Sequence, residues 1–184
     1  MITAILESAP AQSGKDTAAA HIENLYPGRV VHLKVAAAVK DRVHRRLGLD
    51  VPHDAFEGVK DTPRPEFGGQ TPRQAYIVEG AKMIAEDGAE AVVGLLRPQI
   101  EAMPDGAFVV VSDLKDDMEA RYIAGLVDSA LLLRIHRPGR TFDGDCRSWI
   151  RIPEIPSDDI DNIELPLFLA FVGQAVVDHV DGGR

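Results

Sequence analysis

At 184 residues, 45% hydrophobic and 27% charged, the chain has the length and balance of one globular domain with a buried core. A formal net charge of −9 excludes the broad basic footprint that binding to a nucleic-acid backbone needs, and no apolar run is long enough to span a bilayer. The lone cysteine, Cys146, cannot close an internal disulfide, and the opening MITAILESAP lacks the basic start of a signal peptide, so a cytoplasmic setting is expected.

In chain order, residues 2–8 (ITAILES) are expected to form a strand, and a helix runs from Lys15 to Tyr26, where Pro27-Gly28 stops it. A second strand is expected at 29–35, followed by a helix over 36–48 closed by Gly48. Residues 50–70, rich in Pro, Gly and charge, read as a loop with at most short structure. Thr71, Pro72 and Gln74 form a capping box that opens a helix running to about Glu86, where Gly88 breaks it. A further helix is expected over 89–103 and an apolar strand over 107–112. A helix at 117–126 and a buried strand at 129–136 follow. The stretch 138–161 reads as irregular, with a short strand near 162–165 and a final helix at 166–180. Apolar strands alternating with helices predict an α/β fold with a parallel sheet flanked by helices, and such sheets bind ligands at their carboxyl ends.

The first strand leads through Ala9 and Pro10 into Ala11, Gln12, Ser13, Gly14, Lys15, Asp16 and Thr17, where a helix begins at once. That is the context of a phosphate loop: inward N–H groups, a helix N-terminus aimed at an anion and a lysine for the β- and γ-phosphates. The loop departs from GxxxxGK[ST] at two places. Ala9 replaces the first glycine, which requires φ below zero there, and Asp16 replaces the magnesium-binding hydroxyl. A carboxylate can bind magnesium, directly or through water, but it also repels phosphate.

Other residues follow strands in the same way. Arg73 stands in the first turn of a helix, where the macrodipole disfavours a cation; either an anion lies nearby or the side chain bends to solvent or to Glu79. Lys40 reads as an acceptor contact or as helix surface. Asp113 ends an apolar strand and either serves a metal and the acceptor or caps the next helix. Lys115 can reach a phosphate or lie on the surface. Glu119 reads as structural. Arginines gather between 134 and 151, namely Arg134, Arg137, Arg140, Arg147 and Arg151, as a lid over phosphates would need. Of these, Arg137 and Arg140 are the catalytic candidates. Trp149 stacks on a base or packs within the lid.

SGKDT at 13–17 resembles the phage deoxynucleoside monophosphate kinases, whose loops read GKxxSGKDT. Lys40 is similar to the end of their FADPLK segment, and Gln70-Thr71-Pro72-Arg73 to their TPR helix start. Ser112-Asp113 with Glu119 is similar to SDVRFxNE, and Asp161-Asn162 to a late DN pair. Ala37, Lys115 and Met118 depart from these patterns. The resemblance implies a three-layer P-loop NTPase fold with NMP-binding and lid segments. It implies a single kinase domain with an acceptor segment at 36–104 and a lid-like segment at 137–161. It also implies ATP and Mg2+, a nucleoside monophosphate acceptor, a homodimer and, for a phage protein, the host cytoplasm. The assignments are Lys15, Arg73, Asp113, Arg137 and Arg140 as catalytic, 11–17 for the nucleotide, Lys40, Arg73 and Lys115 for the acceptor, and Asp16 and Asp113 for the metal. Two alternatives stay open: a P-loop kinase for another small phosphorylated acceptor, and a nucleotide-binding protein that transfers nothing.

Overall fold

The computed structural model of the protein describes residues 1–145 and 147–182; Cys146 lies outside them. Its strands are β1 (Thr3–Ser8), β2 (Val30–Leu33), β3 (Phe108–Val111), β4 (Ser129–His136) and β5 (Ser157–Asp161). Its α-helices are α1 (Lys15–Leu25), α2 (Val35–Leu47), α3 (Pro72–Asp87), α4 (Arg97–Glu101), α5 (Asp117–Ala124) and α6 (Leu165–Gly182). No helix among the described residues is long and apolar enough to cross a membrane.

The strands form one sheet in the order β2-β3-β1-β4-β5, every neighbouring pair parallel. β1 is therefore central, which is why all of TAILES is buried. Ile5, Val110, Leu131, Leu133 and Ile135 share a core with Ala18, Ala19 and Ile22 of α1 and Phe168, Val172 and Val176 of α6. Ala4, Leu6, Val109 and Leu132 point to the other face and are equally buried, and α5 packs against β1. This is the α/β arrangement expected, an all-parallel sheet flanked by helices.

The chain divides into two compact units, Met1–Lys34 with the chain from Arg97 onward, and Val35–Leu96. The first holds the whole sheet. The second has its own small core of Val43, Phe56, Phe67 and Ala75, around which His44 bonds the Val51 carbonyl (2.9 Å) and the Tyr76 hydroxyl (3.0 Å). Of the segment read at 36–104, residues 36–96 fall in this second unit and 97–104 in the first.

The capping box forms as read: Thr71 Oγ1 accepts from the Gln74 N–H at 3.1 Å, and Gln74 Oε1 accepts from the Thr71 N–H at 3.0 Å. Two expectations need correction. The helix expected over 89–103 is a 3-10 turn at Val93–Leu96 followed by the short α4, because Pro98 has no N–H to continue a ladder back to Gly94. The last strand lies at 157–161, not 162–165, so the irregular stretch ends at Pro156. The loop at 50–70 carries only the short structure read for it, two 3-10 turns at His53–Val59 and Pro65–Phe67.

Candidate active site

β1 ends at Ser8, and α1 begins seven positions on at Lys15, so 9–14 arch between the end of the central strand and a helix N-terminus. Gly14 is the N-cap at φ 103, and no side chain caps the helix, which leaves its first amides to an incoming acceptor. α3 and α5, by contrast, are capped by Thr71 and Asp116. No side chain fits at position 14: beyond the positive φ, a Cβ there would lie 2.4 Å from Asn162 Nδ2. Ala9 keeps φ below zero, since Gln12 (φ 61) is the sole non-glycine at positive φ among the described residues. The first departure from the loop pattern is therefore without conformational cost.

Lys15 is half-buried. Burial pulls its ammonium below the usual lysine range and the charge of Arg147 adds to this, while Asp16, Asp113 and Glu7 oppose it. Thr17 and Asp16 face solvent, and Ser13 is fully buried, its hydroxyl without a hydrogen-bond partner. Asp16 pairs with Lys34 Nζ at 2.6 Å; burial pushes its carboxyl up, but the Lys34 bond together with the charges of Lys34, Lys15 and His32 holds it below the ordinary value. Ala11 and Gln12 are exposed.

Asp113 follows β3 and is half-buried. It does not cap α5; Asp116 does, accepting from the Met118 and Glu119 N–H groups at 3.1 Å each. Lys115 is exposed, 3.7 Å from Asp116. Glu119 is buried and accepts from the Lys115 N–H at 2.7 Å, a structural role as read.

The arginine-rich stretch separates into distinct jobs. Arg134 grips Asp159 with two nitrogens (3.0 and 2.7 Å) and ties β4 to β5, and Arg147 grips Asp145 in the same way. Arg137 Nη1 donates to the Gln12 carbonyl at 2.9 Å. Arg140 is exposed, and its side chain makes no ion pair among the described residues. Trp149 stacks on His136, ring centroids 4.3 Å apart, and meets Phe142 edge-on. The packing alternative holds for this side chain. His136, Arg137, Pro138, Arg140, Asp161 and Ile163 line a cleft of about 270 Å3. A larger one, about 520 Å3, runs between β5 and α6 and is lined by no residue of 9–17.

In the unit Val35–Leu96, both acceptor candidates are in ion pairs. Lys40 pairs with Glu57, which Lys60 also contacts, so that the Glu57 carboxyl is held down to about 2. Arg73 binds Asp61 through two nitrogens at 2.6 and 3.2 Å, not Glu79. Glu79 is instead buried between Arg42 (2.9 Å) and Arg46 (3.1 Å). The Arg73 pair is exposed on both sides, so solvent screens it and it holds the guanidinium only weakly.

Two features were not foreseen. Glu7, inside the apolar β1, is fully buried with neither carboxylate oxygen bonded, and burial drives its pKa well above 4.5. The nearby charges acting on it are Asp16, Lys15 and Lys34. The only sequence signal was a glutamate in an otherwise apolar strand. The second is a 2.6 Å bond between His32 and the buried Ser112, joining the ends of β2 and β3.

The oxygen donors here suit a hard divalent cation. Among the described residues no three carboxylates or imidazoles gather, and magnesium needs no such cage, because phosphate oxygens and waters supply most of its shell.

Among solved structures, the chain is similar to a "putative kinase" from Chloroflexus aurantiacus at 12% identity and a TM-score of 0.56, over 99% of this chain and 97% of that one. A sugar kinase from Janibacter (10% identity, TM-score 0.46, 98% and 95% covered) and TT1252 from Thermus thermophilus (16%, 0.49, 97% of each) superpose too loosely to add to this. At such identities the likeness is one of fold. No protein-family model matches the chain, and no curated protein does.

Proposed function

We propose that the protein is an ATP-dependent kinase that phosphorylates a nucleoside monophosphate, a deoxynucleotide by its sequence resemblance. The observation that carries this reading is the uncapped N-terminus of α1 behind Gly14, with the half-buried Lys15 beside it. The loop amides and Lys15 hold the donor phosphates. Arg137, fixed to the loop backbone, borders the cleft assigned to the donor's base, and Arg140 is assigned to the migrating phosphoryl group. Arg73 and Lys40 take the acceptor's phosphate in exchange for Asp61 and Glu57, and Lys115 is a further contact on the acceptor side.

An oxygen of the acceptor phosphate attacks the γ-phosphorus, and the bond from that phosphorus to the bridging oxygen breaks, so ADP leaves. The nucleophile is already an anion, so no general base is required. A magnesium ion, when bound, neutralises donor phosphate charge; Asp113 and Asp16 are the residues that would hold it.

A second reading has one observation in its favour. The Asp16–Lys34 pair engages the carboxylate that stands where a magnesium-binding hydroxyl is usual, as suits a protein that binds a nucleotide without transfer. A coupled assay with ATP, magnesium and a panel of nucleoside monophosphates and other small phosphorylated acceptors separates the readings. ATP binding without turnover of any acceptor sinks the kinase; turnover confined to a non-nucleotide acceptor sinks the monophosphate assignment. Within the kinase, Arg73→Ala is expected to raise the acceptor KM roughly tenfold, the loss of a charge-assisted pair, and to leave the ATP KM unchanged. A rise in the ATP KM alone would place Arg73 on the donor instead.

A further inference from the structure

The phosphate loop has little of its own to hold it in shape. Its internal closure is a Ser13 N–H to Pro10 carbonyl bond of 3.3 Å, long for this kind of bond. Gln12 sits in the left-handed region at φ 61, which costs an ordinary residue about 1 kcal/mol. The restraint comes from two side chains distant in sequence. Arg137, just past β4, donates to the Gln12 carbonyl at 2.9 Å, and Asn162, just past β5, donates to the Ser13 carbonyl at 2.8 Å. Asn162 is pinned in turn, its N–H donating to the His136 carbonyl at 2.7 Å.

A trans peptide points its C=O and N–H in opposite directions. With the Ser13 carbonyl turned to Asn162, the Gly14 N–H faces away from Asn162. Gly14 has no Cβ, and that is what allows Asn162 to come so close: a Cβ would lie 2.4 Å from its nitrogen. The two residues therefore form a matched pair, a glycine at positive φ and an amide that fixes the peptide before it.

We propose that Asn162 is a positioning residue for polyphosphate: its amide orients the Ser13–Gly14 peptide so that the Gly14 N–H joins the first amides of α1 as a phosphate donor. The proposal rests on the kinase reading only in requiring that the loop bind a polyphosphate. Asn162 is uncharged, so its effect cannot be confused with loss of a cation.

The test uses Asn162→Ala and the near-isosteric Asn162→Asp, which turns a donor into an acceptor facing the Ser13 carbonyl. Both are expected to weaken binding of inorganic tripolyphosphate, measured by calorimetry, by roughly tenfold. In kinetics the ATP KM should rise and the acceptor KM should not move, whereas general damage to the fold moves both. Tripolyphosphate affinity within twofold of wild type in both variants overturns the proposal and leaves the kinase reading standing. A wild-type protein that binds neither ATP nor tripolyphosphate overturns both. Variants that no longer melt cooperatively, or that raise both KM values together, make Asn162 a residue of the fold and overturn the proposal as well.

Discussion

Lys15→Ala is expected to slow phosphoryl transfer by about a hundredfold or more and to leave the protein folded. Charge stabilisation of a phosphoryl transition state by one preorganised group commonly contributes this much, because its dipoles or charge need no reorganisation during the reaction. Lys15 stands at the first position of α1, with three carboxylates, Asp16, Asp113 and Glu7, acting against the desolvation that depresses its pKa. Removing a partly desolvated cation releases a burial penalty as well as an attraction, so the melting temperature should change little. The decisive measurement is turnover at saturating ATP and acceptor beside a melting curve. Wild-type turnover in the variant would show that the loop is not where transfer occurs. Lost turnover with a collapsed melting curve would say nothing about the chemistry, and Lys15→Met, which keeps the stem, then serves in its place.

Glu7→Gln is expected to stabilise the protein at alkaline pH and to have no such effect in acid. The Glu7 carboxyl is raised in the folded state above its ordinary 4.5 by burial, so between these values the folded protein holds a proton that the unfolded chain has lost. Stability therefore falls as pH rises from about 4.5 towards the folded-state pKa, and it is fully retained below 4.5. Glutamine carries no such proton and removes the slope. The gap between the two proteins should widen with pH above about 4.5. Melting curves of both proteins from pH 4 to pH 8 should converge at the acid end and separate at the other. Parallel curves would mean that Glu7 titrates alike in the folded and unfolded chain.

What could be read from the sequence follows from where each signal resides. β1 and β4 declare themselves because central strands are largely apolar, and the start of α3 because Thr71, Pro72 and Gln74 carry a capping box in their side chains. β5 could not be found this way. It is an edge strand reading SDDID, with Ile160 its one buried residue, so neither an apolar run nor an alternation marks it. The loop residues 11–17 could be named as a candidate phosphate site because the signal, a strand, a short loop and a lysine at a helix start, is local. The partners of the site were not, because they depend on the sheet. Arg137 reaches Gln12 across 125 positions, Asn162 reaches Ser13 across 149, and Asp16 meets Lys34 from β2's far end. Arg134 and Arg147, which composition alone grouped with the lid cations, are already matched to Asp159 and Asp145.

The same acidic strand that escaped detection also governs how the molecule can meet its own copies. β5 presents Asp158, Asp159 and Asp161 on the open margin of the sheet. Two such margins brought together would set rows of like charge opposite one another, which opposes pairing strand to strand. Charge of this kind disfavours extension of the sheet at this margin, even with Asp159 held by Arg134.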